Sequence, residues 1–123
     1  MSKAIAYDFV LDYLFPLTLV TRPMFGCHGI YAGEKIVLIT RKKGGPNPDN
    51  GVWVVTTPEH LESLKKDFPS LRAVSFFSED SKWQVLSEDA PDFEADVIRV
   101  CELIVRGDPR IGTIPKKKKK KVK

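Results

Sequence analysis

Between Arg22 and Thr56 the chain carries three successive strand signals with no helical pattern between them. Arg22 to Ala32 reads as one strand, Gly33-Glu34 as a tight turn, and Lys35 to Thr40 as its antiparallel partner. Val52 to Thr56 reads as a third strand. Parallel neighbours need a crossover of a dozen or more residues, usually a helix, so strands this close in sequence pair antiparallel. A Rossmann-type nucleotide fold, which alternates strand and helix, does not fit. The unbroken apolar run Ile36-Val37-Leu38-Ile39 points to a strand in the middle of the sheet, covered on both faces. Gly44-Gly45, Pro46 and Pro48 mark the stretch Arg41 to Gly51 as a surface loop.

Helical signals flank this run. Ser2 is placed to cap a first helix, in which Ala6, Phe9, Val10, Tyr13 and Leu14 fall on one stripe and Pro16 ends the pattern. Thr57 followed by Pro58 is a helix start, with Leu61, Leu64 and Phe68 as the buried side and Pro69 as the stop. Leu71 to Phe77 and Lys82 to Glu88 read as two more strands around a turn at Ser78 to Ser81. A last helix begins near Asp89 to Asp92 and buries Phe93, Val97, Val100, Cys101 and Ile104, with Gly107 as its C-cap. The expected fold is α+β and two-layered, in the order α-β-β-β-α-β-β-α. Its sheet would be mainly antiparallel and five-stranded, with the helices packed on one face.

Length allows one domain, expected over residues 1–112, with 113–123 as a disordered lysine-rich tail. That tail, with Lys116, Lys117, Lys118, Lys119, Lys120, Lys121 and Lys123, holds seven of the 20 basic residues and no acid. The remaining 13 basic residues face 16 acidic ones, so a body of charge −3 carries a basic string. Six consecutive lysines attract phosphates by counterion release without reading sequence, which makes nucleic acid the first expected partner. Arg41, Lys42 and Lys43 would extend that footprint. No apolar run approaches the roughly 20 residues of a bilayer span. The N-terminal stretch, interrupted by Asp8 and Asp12, does not read as a secretory signal, so a cytoplasmic location is expected. Two cysteines, Cys27 and Cys101, make no disulfide framework and read as buried free thiols.

The segment around Arg22, Met24-Phe25-Gly26 and Gly29-Ile30-Tyr31, with the turn and apolar strand after it, resembles the N-terminal domain of the TfoX (Sxy) competence-regulator family. There a similar Arg-x-Met-Phe-Gly-Gly-x-Gly segment forms the first hairpin. The resemblance runs from about Ala4 to Glu88. It implies the secretion-chaperone-like fold, shared with YjbR-like proteins, and a non-enzymatic regulatory or interaction domain. Cys27 stands where the family has a second glycine and His28 where it often has an aromatic. Lys43 to Gly51 has the look of an insertion, and the C-terminal domain of full-length TfoX proteins has no counterpart here. Read from the residues alone, Gly26 and Gly29 within a strand mark a bulge or a close backbone approach.

The sequence offers no catalytic constellation. Cys27 and His28 are neighbours on a strand and point to opposite faces. The other histidine, His60, opens a helix, and no paired spacing of zinc ligands occurs. Neither phosphate-binding glycine motif is present. No cofactor and no metal are expected. A small-molecule-binding domain or enzyme with a pocket near Met24, Phe25, Cys27 and Trp53 is the alternative to the interaction module. A protein partner, or a homodimer formed through a sheet edge, completes the set of expected partners.

Overall fold

The computed structural model describes residues 6–24, 26–42, 49–74 and 82–114. Within them the chain forms α1 (Phe9–Tyr13), β1 (Leu19–Met24), β2 (Cys27–Ala32), β3 (Lys35–Arg41), β4 (Gly51–Val55), α2 (Pro58–Asp67), β5 (Arg72–Ala73), β6 (Trp83–Ser87) and α3 (Phe93–Val105). The architecture is mixed α+β, with three helices and one six-stranded sheet in the order β1-β2-β3-β4-β6-β5. Every pairing is antiparallel.

The sixth strand corrects the expectation of five. Arg22 to Ala32 is not one strand but the second half of one and the whole of the next. Met24 pairs with Cys27, so the chain reverses within the two positions between them. Gly26 has a φ of 76°, a turn conformation that glycine adopts without steric cost. It is therefore a hairpin residue rather than a strand bulge. Gly29 stays inside β2, opposite Arg22 on one side and Ile39 on the other. The register shift falls beside it, between Ile30 and Tyr31.

α1 is also shorter than its stripe suggests. Tyr7 has a φ of 55°, so a regular helix does not run through it, and Ser2 lies outside the described residues. Val10 and Leu14 are fully buried, whereas Tyr13 is 45% exposed. α2 and α3 follow their sequence signals closely. The Thr57 hydroxyl makes no capping bond; the His60 N–H instead donates to the Thr57 carbonyl oxygen at 3.0 Å. β5 covers only Arg72–Ala73 of the strand expected over Leu71 to Phe77; residues 75–81, with the expected turn, lie outside the described residues.

Buried side chains separate by face. Val10 of α1 and Leu14 just after it, Leu61 and Leu64 of α2, and Val97, Val100, Cys101 and Ile104 of α3 share one cluster with Ile30, Leu38, Val52, Val54 and Leu86 of the sheet. The other face buries Cys27, Ile36, Ile39, Trp53, Val55, Val74 and Val85. β3 contributes to both, which is why its sequence is an unbroken apolar run.

After α3 the chain returns to the sheet. Gly112 donates its N–H to the Val55 carbonyl oxygen, and Thr113 and Ile36 exchange backbone hydrogen bonds of 2.9 and 3.1 Å. The Arg110 guanidinium holds this return, bonded to Asp108 and to Ser63 and Asp67 of α2.

Candidate functional site

Strand alternation assembles the chemically distinctive side chains on the face opposite the helices. Arg22 sits across from Gly29, and its guanidinium reaches diagonally to 5.6 Å from the Tyr31 ring centre. Gly29 presents no side chain between them, so the guanidinium of Arg22 can lie against the Tyr31 ring as a cation–π pair. Trp53 on β4 and Trp83 on β6 lie with ring centres 6.0 Å apart. Arg41, at the end of β3, lies over Trp53 at 6.0 Å.

Asp49 organises the basic residues at this end. Its buried carboxylate lies 3.9 Å from Arg41 Nη1 and 3.6 Å from Arg72 Nη1. Its backbone carbonyl oxygen accepts the Trp53 indole N–H at 2.9 Å. One buried acid thus orients two guanidiniums and an indole, and the trio Arg41, Asp49 and Arg72 keeps a net charge of +1. The Arg41 side chain is only 14% exposed, that of Arg72 37%.

Lys42 points to the helix face instead. Its Nζ donates to Glu88 Oε1 at 2.7 Å, and the same oxygen accepts the Tyr7 hydroxyl. The Lys42 hydrogen bond, followed by that of Tyr7, holds the Glu88 carboxyl below its usual range. Burial and the facing carboxylate push the Tyr7 phenol up. Tyr7 also meets Phe93 edge-on at 5.3 Å. A carboxylate already accepting from two donors is a poor general base, so the arrangement acts as a latch between the segment before α1, the end of β3 and the end of β6. Nothing in the sequence signalled it, because Tyr7 and Glu88 are 81 positions apart.

The residues named for an alternative pocket are brought together only in part. Cys27 and Trp53 join the same buried cluster, at 5% and 3% exposure. The Met24 side chain and Phe25 lie outside the described residues. Both cysteines are buried thiols outside any disulfide, and burial pushes the Cys101 thiol up to about 12. His28 lies beyond Cys27 on β2, and His60 is near Glu59 on α2. Among the described residues no three His, Cys, Asp or Glu side chains converge as metal ligands.

Of the residues named for nucleic-acid contact, Arg41 and Lys42 are placed as above; Lys43 and Lys116 to Lys123 lie outside the described residues. The root of the basic string is nonetheless fixed, because Thr113 is hydrogen-bonded to Ile36 at the start of β3. From Ile36 to Arg41 a strand covers about 17 Å at the usual rise. No described helix is long and apolar enough to cross a membrane. No protein-family model, curated protein or solved structure matches the chain.

Proposed function

We propose that this chain is a non-catalytic interaction module of the TfoX N-terminal type, acting in the cytoplasm, whose basic C-terminus holds it on nucleic acid while the domain engages a protein partner. The observation that carries the reading is the charge division: seven tail lysines on a body of net charge −3. Duplex DNA carries one negative charge per about 1.7 Å, so one duplex segment spans the distance from the tail root to the Arg41 end of the sheet with charge to spare. On the face opposite the described helices, exposed Arg22 lies beside Tyr31, an arginine–aromatic pairing of the kind that polyanion-binding surfaces use. The Arg22-Gly29-Tyr31 contact gives the family-like motif a packing reason within the hairpin.

The test is fluorescence anisotropy with labelled duplex DNA and single-stranded RNA. It compares the intact chain with a variant in which Lys116 to Lys121 and Lys123 are replaced by serine. Binding by the intact chain and its loss in the serine variant support the reading. Equal binding by both transfers the role to the arginine-bearing face, and no binding at low salt ends it.

A further inference from the structure

The sheet edges are poorly suited to joining two copies. β1 is an edge strand, and its two-residue connection to β2 makes Met24 and Cys27 a hydrogen-bonded pair. Pro23 then occupies the non-bonded position, where its missing N–H faces outward and interrupts any added strand. The other edge, β5, covers Arg72–Ala73 among the described residues.

A different surface combines shape with self-complementary charge. Tyr13, Phe15, Glu102, Val105 and Arg106 line an open groove of about 410 Å³ between the end of α1 and the end of α3. Phe15 is 78% exposed and Tyr13 45%, an unusual outlay of aromatic surface on a small domain. Glu102 and Arg106 stand one turn apart on the solvent side of α3, and no ion pair joins either to another described residue. An acid and a base one turn apart on one helix satisfy the condition for an isologous contact. When two such helices cross antiparallel about a two-fold axis, each Glu102 meets the Arg106 of the other copy.

We infer that the α1–α3 groove is a homodimer interface: a second copy of this chain occupies it, with Phe15 and Tyr13 of each copy seated against Val105 of the other and two Glu102–Arg106 pairs closing the rim. Five lining residues a side fall well short of the roughly 20–30 of a standard-size interface, so the dimer belongs to the weak, concentration-dependent class. It would also place two basic tails on one particle.

Sedimentation velocity on the full chain from micromolar to millimolar concentration tests this. The expected result is a concentration-dependent monomer–dimer equilibrium that Phe15→Asp abolishes. Glu102→Arg should weaken it about tenfold by setting like charges together at both rim positions. The double variant Glu102→Arg/Arg106→Glu should restore it to near the parental strength. All three side chains are exposed, and circular dichroism confirms that the variants fold. A monomer throughout the range, a dimer indifferent to Phe15→Asp, or a double variant no better than the single one overturns the inference.

Discussion

Replacing Gly51 by alanine tests the packing of the sheet at its most demanding point. Gly51 opens β4 with a φ of 149° and lies between Arg41 of β3 and Ser87 of β6. A β-carbon built there would stand 2.1 Å from the Leu86 carbonyl oxygen and 3.1 Å from the Glu88 nitrogen, where ordinary contact begins at 3.4 Å. Both neighbours are backbone, so no side chain can swing aside and the β4–β6 ladder itself must open. The Glu88 N–H bond to the Asn50 carbonyl oxygen, 2.9 Å long, is directly exposed to that movement. Backbone strain of about 1–3 kcal/mol, with about 1 kcal/mol for each of roughly two disrupted hydrogen bonds, gives a loss of about 3–5 kcal/mol. In a domain of this size that lowers Tm by roughly 10–20 °C. Urea unfolding followed by circular dichroism measures the change. Gly33→Ala is the control: Gly33 also has a positive φ, 64°, but a β-carbon there meets nothing within 4 Å. It should cost only about 1 kcal/mol, the backbone term alone. If Gly51→Ala stays within about 1 kcal/mol of the parent, or costs no more than Gly33→Ala, the close approach of β4 and β6 is wrong.

Buried and half-buried polar groups carry three further expected outcomes. Asp96 lies buried in the first turn of α3, and desolvation followed by Asp92 raises its pKa, so its folded-state value exceeds the unfolded one. The stabilisation from proton uptake is then present below the unfolded pKa and lost as pH rises through the folded one. Asp96→Asn should therefore stabilise the fold at pH 7 by about 1 kcal/mol, with the gain shrinking toward pH 4 in parallel urea titrations. Glu88 behaves in the opposite sense: its pKa is lowered, so its contribution is present above the unfolded carboxylate range and disappears as pH falls through the folded value. Tyr7→Phe should remove about 1 kcal/mol at pH 7 and less at acid pH; an equal loss at both would contradict the latch. Neither Cys27 nor Cys101 should react with a thiol reagent such as Ellman's in the native protein, and both should react in urea; rapid labelling of either in the native state would show that the core has been misassigned.

Periodicity and punctuation made much of the fold legible. Thr57-Pro58 and Pro69 bracketed α2, and the stripe from Phe93 to Ile104 gave the buried side of α3. The apolar run of β3 matched a strand paired on both sides. The hairpin at Gly26 was missed because Arg22 to Ala32 has β-compatible composition throughout, and a glycine between two apolar runs signals a bulge and a turn equally well. The backbone settles the matter through the pairing of Met24 with Cys27 and a positive φ at Gly26. α1 was overestimated because helical spacing at Ala6 and Phe9 carries no sign of the left-handed backbone at Tyr7, which sits where tertiary contacts to Glu88 and Phe93 hold it. The candidate site was less legible still. Strand alternation could place Arg41 and Trp53 on a common face only once the register of β3 against β4 was known, and the pairing of Asp49 with both Arg41 and Arg72 is a product of the fold.

If the tail lysines supply the hold on nucleic acid, the salt dependence of binding reports it. Each phosphate neutralised on duplex DNA adds about −0.9 to the slope of log K against log salt. With seven tail lysines engaged, the intact chain should therefore show a slope approaching about −6. The variant with serine at those seven positions should show weak binding with a shallow slope. An intact chain whose slope is near −1, or a serine variant with an unchanged slope and affinity, would show that the lysines are not the anchor.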